Sequence, residues 1–368
     1  MEKEFKNISS GKKEMEEFMK NFKDMPDRLL KYCEVLLRGN DASPYSFQDT
    51  MSFRHLGVGL TSKCNKHCVW CYRFDPIYKK VLNKELPFEK LEKIVNNTRG
   101  KFRMIKLAGL GEPVLYPRLL DAIALVKKLS NRVRITSNAS LLTKDLINKM
   151  VDSGLTDIEV SILTFNEKEE MKLRGIELKD SIEKVVYISN KTNLETQVNV
   201  IVSSLGFQTL FSLVDALKGA KKLSLHTIPL FETQQCRDAG VKRVSDEEYK
   251  ALLTKIKADI DKYNLDWKMF PSPEGSVIDP VIEMKKKKNI CFTCFEDPYI
   301  SEIGELLPCG RTKPLGGVDA EVGFEEAWNH PKLLKFREDM LKGNYSALCG
   351  QLCYLKDKNF EEKNEKLT

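Results

Sequence analysis

The sequence predicts an α/β fold, in which successive βα units form a parallel sheet or barrel and a smaller cysteine-bearing domain follows. The first observation is length, because 368 residues exceed the roughly 150 residues of a typical single domain. The second is that short apolar runs alternate with segments of helical period from about residue 52 onward, as βα units do. The third is that most of the ten cysteines gather in two clusters at opposite ends of the chain.

Six strands and five helices account for the alternating region. The strands are predicted over residues 55–60, 103–108, 132–136, 157–163, 196–202 and 222–228. The helices are predicted over residues 87–97, 117–129, 143–153, 179–190 and 207–218. Right-handed crossovers bring the carboxyl ends of parallel strands to one face, where binding and catalytic sites of such folds gather. We therefore expect the functional residues in the loops that follow the strands.

The chain divides into five predicted segments. These are a helical leader at 1–51, the βα region at 52–240, a helix and linker at 241–288, the cysteine-bearing domain at 289–355 and a charged tail at 356–368. The linker contains a helix over 245–263 that opens with a capping box at Ser245 and Glu248, a signature of a helix start. A loop rich in Pro and Gly follows this helix and is the expected domain boundary.

Composition and charge exclude several classes of protein. A hydrophobic fraction of 42% with 31% charged residues is typical of a folded chain with a sizeable core. No stretch approaches the roughly 18 apolar residues of a membrane helix, and no secretory signal begins the chain, so we expect a cytoplasmic protein without a membrane partner. The net charge of +7 is spread out, and the lysine run at 285–288 is interpreted as a solvated linker. We expect no nucleic-acid partner.

The first cysteine cluster follows the first predicted strand directly. Cys64, Cys68 and Cys71 lie within eight residues, and in a reducing compartment such thiols indicate metal rather than disulfides. Structural zinc takes four ligands, and His67, next to Cys68, is poorly placed to be the fourth. A [4Fe–4S] cluster also takes four thiolates. Three would leave one iron open to a substrate or cofactor.

The motif Cys64-x3-Cys68-x2-Cys71, with Trp70 just before the last cysteine, resembles the signature of the radical S-adenosylmethionine (SAM) superfamily. The resemblance implies a partial (β/α)6 TIM-like barrel in which the open iron of a [4Fe–4S] cluster chelates the amino and carboxylate groups of SAM. It implies reductive cleavage of SAM to a 5′-deoxyadenosyl radical that abstracts a hydrogen atom from a substrate C–H. It also implies an electron donor such as a flavodoxin or ferredoxin.

The same resemblance assigns cofactor-binding residues at the ends of later strands. Residues 109–113 are similar to the family's Gly-Gly-Glu-Pro motif for the SAM amino group, with Leu110 in place of its first glycine. Asn138 and Ser137 are expected at the ribose, Arg174 at the SAM carboxylate and Trp70 at the adenine. The full expected set is Trp70, Gly109, Gly111, Glu112, Ser137, Asn138, Ser161 and Arg174. The alternatives are an ordinary tight turn at 109–113, packing at the barrel mouth for Trp70, and caps or surface contacts for the others.

The second cluster contains Cys291, Cys294, Cys309, Cys349 and Cys353. The step of 18 residues from Cys291 to Cys309 spans a predicted hairpin turning at Gly304, and a helix precedes the closing pair. This arrangement resembles the SPASM/twitch extension, which implies an auxiliary [4Fe–4S] cluster. By spacing, the ligands are Cys291, Cys309, Cys349 and Cys353, although the closing pair is separated by three residues where two is commoner. A zinc ribbon is the alternative.

The fate of the substrate radical distinguishes two reactions. A nearby auxiliary cluster accepts an electron and leaves an oxidised product, by dehydrogenation or cross-linking. A nearby thiol instead returns a hydrogen atom and inverts a stereocentre. Cys236, in the loop after the last predicted strand, is the candidate donor, and its polar neighbours predict exposure, whereas free cysteines are commonly buried.

The substrate class is open at the level of sequence. The leader is too short for the peptide-recognition domain that peptide-modifying relatives often carry, so we expect a small molecule or a peptide presented by a separate protein. Two alternatives of another class are an iron–sulfur electron carrier and a zinc-stabilised interaction module.

Overall fold

The computed structural model describes residues 53, 55–230, 232–270, 293–310, 312 and 316–341. The predicted leader and tail therefore lie outside the described residues, as do Cys291, Cys349 and Cys353. The predicted domain boundaries and the auxiliary ligand set stay predictions for this reason.

A sheet of ten strands organises the part of the chain that is described. The strands are β1 Leu56–Val58, β2 Ile105–Leu107, β3 Val133–Ser137, β4 Asp157–Ile162, β5 Glu195–Val202, β6 Lys222–Pro229, β7 Asp266–Phe270, β8 Tyr299–Ile300, β9 Glu305–Leu307 and β10 Val318–Asp319. Their spatial order is β10-β9-β8-β1-β2-β3-β4-β5-β6-β7. Neighbouring strands are parallel from β8 through β1 to β7, whereas β9 pairs antiparallel with both β8 and β10.

Helices connect the parallel strands. They are α1 Phe88–Asn97, α2 Leu119–Val126, α3 Lys144–Asp152, α4 Glu167–Arg174, α5 Leu178–Lys191, α6 Leu213–Leu217, α7 Gln234–Asp238, α8 Asp246–Lys262, α9 Thr293–Glu296, α10 Phe324–Trp328 and α11 Pro331–Leu341. Strands β1 to β6 coincide with the six predicted runs to within a few residues. The predicted α/β fold with a parallel, barrel-like sheet is confirmed, and the structure adds β7 and the short helices α4 and α7.

The sheet has one apolar face and one polar face. Side chains alternate between faces along a strand, and the apolar set includes Ile135, Val160 and Val200, each 0% exposed, which pack in the main hydrophobic core. The opposite set is polar and more open. It includes Lys106, Arg134, Thr136, Glu159, Ser161, Gln197, Asn199 and His226. The helices cover the apolar face, so the polar face lines the inside of the open barrel.

The C-terminal hairpin extends the barrel sheet. In β8, Tyr299 lies opposite Gly57 and Ile300 opposite Val58. The hairpin turns at Gly304, as predicted, with a left-handed φ of +81° that glycine adopts readily. Helix α10 then packs on the first βα unit, where Phe324 contacts Phe53 edge-on at 5.2 Å between ring centroids. The described C-terminal segment is thus attached directly to the start of the barrel.

Within the described ranges, every helix is too short or too polar to cross a bilayer.

Candidate active site

The three cysteines of the first cluster lie in the loop that follows β1. Cys71 N–H donates to the Cys68 carbonyl at 3.0 Å, which tightens the end of the motif. Burial raises the pKa of the Cys64 thiol and raises that of Cys71 to about 12, and the Cys68 thiol adds to both shifts. The three thiols therefore share one electrostatic environment. Among the described residues, no three Cys, His, Asp or Glu side chains lie close enough together to hold a metal ion.

Arg73 provides a test of whether an iron–sulfur cluster fits this loop. Its side chain is 5% exposed and donates from Nη2 to the Ser62 carbonyl at 2.9 Å, which joins the two ends of the motif. Its Nε is buried and has no hydrogen-bond partner among the residues that the structure describes. The Arg73 charge also opposes the raised pKa of both Cys64 and Cys71. A buried, unpartnered donor beside the thiols suits an anionic metal–thiolate group.

His67 makes an aromatic contact beside the motif. Its ring stacks on that of Phe74, with centroids 5.2 Å apart and planes at 22°, so its ring is engaged on a neighbour in the same loop. The donor set thus fits a [4Fe–4S] cluster held by three thiolates, with one iron open.

Glu112 is the anchored carboxylate of the site. It is 3% exposed, and its Oε1 accepts from Ser137 Oγ at 2.7 Å while its Oε2 accepts from Asn138 N–H at 2.8 Å. Burial raises the pKa of Glu112, and these two hydrogen bonds and the charge of Arg174 oppose that shift. The structure therefore holds a carboxylate of fixed orientation next to the cysteine loop.

Gly111 brings this carboxylate against the cysteine loop. A Cβ at Gly111 would lie 2.2 Å from the Lys63 carbonyl oxygen and 2.4 Å from that of Thr61, so only glycine fits here. The next residue confirms the contact, because Glu112 N–H donates to the Lys63 carbonyl at 2.8 Å. The loop after β1 and the loop after β2 are thus bonded backbone to backbone.

Ser137 and Asn138, expected at the SAM ribose, are engaged within the protein. Ser137 orients Glu112, as described above. Asn138 Nδ2 donates to Asn65 Oδ1 at 3.0 Å and lies 4.0 Å from Cys64 Sγ. Asn65, in the middle of the cysteine motif, was missed by sequence reasoning, and its polar side chain gave no distinctive signal. These bonds join the loop after β3 to the other two loops.

Arg174 lies at the end of α4 and reaches back to β4. It is 4% exposed, donates from Nη1 to the Ser161 carbonyl at 2.6 Å and forms a buried ion pair with Glu170. Burial raises the pKa of Glu170, and the Arg174 charge opposes this shift. Glu170 was also missed, although its position four residues before Arg174 on a helix is the spacing of a side-chain pair. Four strand ends thus contribute to one site.

Cys236 is buried, so the expected exposure is wrong. It is 0% exposed and packs with Leu230 and Val241, next to Trp70. The physical reason is that α7 begins at the Thr233 cap and turns Cys236 inward while its polar neighbours face outward. Its Sγ lies 3.6 Å from the Val69 carbonyl. Trp70 therefore contacts the packing cluster at the barrel mouth, the alternative that the sequence left open for it.

The described cysteines of the second cluster are Cys294 and Cys309. Cys294 is buried on α9, and Cys309 is half-buried just after β9 with its Sγ 3.4 Å from Thr312 Oγ1. The other three cysteines of that cluster lie beyond the described ranges, so the auxiliary ligand set stays a prediction.

Comparison with known families agrees with this arrangement. The sequence profile of the Radical SAM superfamily matches residues 58–203, which span β1 to β5 and hold every site residue from Cys64 to Arg174. The profile identifies residues 58–203 as a radical SAM domain, and enzymes of this superfamily use SAM and an iron–sulfur cluster.

Several characterised proteins are similar over most of the chain. An AdoMet-dependent heme synthase from Methanosarcina barkeri is 22% identical over 317 residues, which cover 81% of this chain and 87% of that protein. A GTP 3′,8-cyclase from Campylobacter jejuni is 25% identical over 306 residues, covering 80% and 86% respectively. The crystal structure of Streptococcus suis SuiB bound to S-adenosylmethionine has the same fold, with a TM-score of 0.59 at 17% identity over 78% of this chain and 68% of that one.

Proposed function

We propose that this enzyme cleaves SAM reductively, abstracts a hydrogen atom from a substrate C–H bond and uses an auxiliary [4Fe–4S] cluster to complete an oxidation. The product is then a dehydrogenated or cross-linked molecule. When bound, the cluster at Cys64, Cys68 and Cys71 supplies one electron and SAM supplies the 5′-deoxyadenosyl radical. The observation that carries the proposal is the buried carboxylate of Glu112, which accepts from Ser137, Asn138 and Val114 and is held directly against the cysteine loop.

The chain's own groups are suited to holding SAM beside that loop. The Glu112 carboxylate would accept hydrogen bonds from the SAM ammonium group, and Arg174 would approach its carboxylate with a planar set of donors. The charge of Arg174 opposes the burial that raises the pKa of Glu112, so the two groups interact. They can therefore hold the opposite charges of one amino acid moiety. Ser161, whose carbonyl accepts from Arg174, would lie among the SAM contacts, whereas Trp70 packs at the barrel mouth.

The oxidation is supported by the position of the C-terminal cysteines. Cys309 follows β9, in the hairpin that pairs with β1, and β1 leads into the Cys64 loop. Because β9 runs antiparallel to β8, Cys309 lies at the level where β1 begins. An auxiliary cluster on Cys291, Cys309, Cys349 and Cys353 would therefore be attached at the edge of the sheet where β1 begins. The substrate would be a small molecule or a peptide, and a flavodoxin or ferredoxin would supply electrons.

An epimerase that uses Cys236 as hydrogen-atom donor is the second candidate. The favouring observation is that Cys236 Sγ lies 3.6 Å from the carbonyl of Val69, between two of the cluster cysteines. However, the thiol is 0% exposed, so a substrate radical has no direct approach to it. We therefore place oxidation first.

Anaerobic reconstitution tests the proposed function. The full chain is loaded with iron and sulfide, both are counted, and 5′-deoxyadenosine is measured by HPLC after dithionite and SAM are added. We expect iron, sulfide and 5′-deoxyadenosine in the wild type. The Cys64/Cys68/Cys71→Ala triple variant should keep the auxiliary iron and make no 5′-deoxyadenosine. Iron without 5′-deoxyadenosine in the wild type would indicate an electron carrier, and zinc without iron would indicate an interaction module.

A further inference from the structure

The C-terminal hairpin holds the loop that carries Glu112. Leu110 N–H donates to Glu302 Oε1 at 2.8 Å across 192 positions of sequence. Tyr299 Oη donates to the same oxygen at 2.8 Å. Glu302 is 2% exposed and Leu110 is 8% exposed, so both hydrogen bonds are made away from water. Removing such an acceptor leaves a buried backbone N–H without a hydrogen bond, which lowers the free energy of unfolding.

Two glycines create the space into which this pair fits. A Cβ at Gly59, just after β1, would lie 2.1 Å from Tyr299 Oη. A Cβ at Gly109, just after β2, would lie 2.3 Å from Glu302 Oε1. Both distances are far below a van der Waals contact, so Tyr299 and Glu302 can enter only because neither strand end carries a side chain there. Gly109 thus has a role within the protein besides any contact with SAM.

The hairpin also contacts the side chain of Leu110. Leu110 packs in a small cluster with Tyr78 and Val81, and Ile303 at the hairpin turn packs against the same cluster. The backbone is bonded as well, since Gly59 N–H donates to the Ile300 carbonyl at 2.8 Å. Leu110 is the residue that replaces a glycine of the family motif. Its N–H and its side chain are both held by elements outside its own loop.

We propose that Glu302, supported by Tyr299, is the positioning residue of the SAM-binding loop. It fixes Leu110 and, two residues later, the carboxylate of Glu112. This inference rests on the proposed function, because it assumes that Glu112 meets the SAM ammonium group. Since Glu302 lies between Cys294 and Cys309, the C-terminal cysteine segment is part of the apparatus that binds SAM, and not only the support of an auxiliary cluster.

Equilibrium dialysis with labelled SAM tests the inference on the anaerobically reconstituted full chain. We expect Glu302→Ala to weaken SAM binding by about tenfold or more, because a buried acceptor for two donors is lost. Glu302→Gln keeps an acceptor oxygen in place and should bind SAM within about threefold of the wild type. Such rescue would not follow from a general loss of packing. Equal SAM affinity in folded Glu302→Ala and the wild type would overturn the inference.

Ser301→Ala is the matched control in the same hairpin. Ser301 Oγ accepts from Glu305 N–H at 3.2 Å and, within the described residues, forms no hydrogen bond with the Leu110 loop. Its loss should lower the melting temperature and leave SAM affinity unchanged. If Ser301→Ala weakens SAM binding as much as Glu302→Ala does, the effect is one of hairpin stability and the positioning role is wrong.

Hydrogen exchange provides a readout that is independent of SAM. In Glu302→Ala, the peptide covering residues 108–116 should exchange faster, while strands β4 to β6 keep their protection. If Glu302→Ala folds poorly, Gly109→Ala serves as the second variant. Its Cβ would displace the Glu302 carboxylate instead of removing it, and it should have the same local effect. If wild type does not bind SAM, the proposed function fails, and the positioning of the loop is decided by this exchange alone. Unchanged exchange at residues 108–116 in both variants would refute it.

Discussion

Glu112 is the residue on which the SAM site depends most directly. Its two oxygens are already bonded to Ser137 and Asn138, so its orientation is set before any ligand arrives. Such pre-orientation favours binding because little conformational freedom is lost when the ligand is bound. The same bonds also counter the burial that raises the pKa of Glu112, and they help to keep the carboxylate charged for an ammonium partner.

Glu112→Gln tests this role at the level of one residue. The amide keeps the shape and one acceptor oxygen but has no charge, so we expect the rate of 5′-deoxyadenosine formation to fall about 100-fold, a loss of about 3 kcal/mol of interaction with the ammonium group. Iron content should stay at the wild-type value, since Glu112 is not a predicted ligand. Glu89→Gln is the matched control, because that side chain is 77% exposed on α1. A normal rate in Glu112→Gln would contradict the assignment.

Cys236→Ala separates packing from hydrogen-atom donation. The thiol is fully buried beside Leu230 and Val241. We therefore expect the free energy of unfolding, measured in urea, to be about 1–2 kcal/mol lower in the variant than in the wild type. If Cys236 only packs, the yield of 5′-deoxyadenosine and the distribution of products should match the wild type. If instead the wild type inverts a stereocentre of the substrate, and Cys236→Ala leaves that centre uninverted while forming normal 5′-deoxyadenosine, Cys236 is the donor and the enzyme is an epimerase.

At the level of elements, the site depends on contacts between loops that follow different strands. Gly111 is the closest of these contacts, because the loop after β2 and the loop after β1 meet there backbone to backbone. Register matters for such an arrangement. Since β1 and β2 pair from Leu56 and Ile105 onward, both strands end at the same level of the sheet, and the two loops begin side by side.

Gly111→Ala should separate the two loops. Its Cβ would lie 2.2 Å from the Lys63 carbonyl oxygen, and backbone atoms on both sides leave no flexible side chain to move away. We expect reduced iron loading of the Cys64 loop and no detectable 5′-deoxyadenosine. Gly219→Ala is the control, because its Cβ would meet only ordinary contacts at 3.6 Å from Val186. Iron and activity at wild-type values in Gly111→Ala would show that the contact is dispensable.

The order of strands and helices could be predicted from sequence because local patterns determine it. Buried strands such as β4 and β5 appear as apolar alternation, and Thr143 caps α3 by accepting from Leu146 N–H, as a threonine before a helical pattern does. Strand β7, with the sequence Asp-Trp-Lys-Met-Phe, was missed because so short a polar–apolar run resembles a loop. Local periodicity therefore identifies long elements and fails for short ones at an edge of the sheet.

The site was predictable only where a motif was contiguous. Cys64 to Cys71 and the segment around Glu112 could be recognised because their residues are neighbours in sequence. The bond between Glu302 and Leu110 spans 192 positions, and no pattern near either residue indicates the other. The burial of Cys236 was mispredicted for a related reason, since the direction of a single side chain on a five-residue helix depends on tertiary packing that local polarity does not record.

Across the whole molecule, the inside of the barrel is a connected network of charges. Glu159 lies at its centre and accepts from Lys106 at 2.8 Å, Arg134 at 2.9 Å and Thr136 at 2.6 Å. Gln197 and Asn199 also donate to it, each at 3.3 Å. These partners come from three strands, and Glu159 itself lies on β4, so the network joins β2, β3, β4 and β5 on the face that the apolar core does not stabilise. Among the described residues, Arg134 Nε is the donor of this network that is buried without a hydrogen-bond partner, while both oxygens of Glu159 are satisfied.

This network predicts how stability depends on pH. Burial alone would raise the pKa of Glu159, but Lys106, Thr136 and Arg134 lower it from 4.5 to about 2. Because the pKa is lower in the folded chain than in the unfolded one, the stabilisation is complete above about pH 4.5 and is lost as the pH falls toward about 2. The side chain is 3% exposed, and the shift corresponds to about 3 kcal/mol.

Glu159→Gln should remove that dependence. At pH 7 we expect the variant to unfold in urea with about 3 kcal/mol less free energy than the wild type, because Lys106 and Arg134 lose their shared counter-charge. The difference should shrink as the pH falls from about 4.5 toward about 2, because the carboxylate is protonated first in the unfolded chain and, near pH 2, in the folded chain as well. Circular dichroism of the full chain at four pH values measures both curves, with the exposed Glu89→Gln change as control. Parallel curves at all pH values would show that Glu159 is not the group that the barrel charges hold ionised.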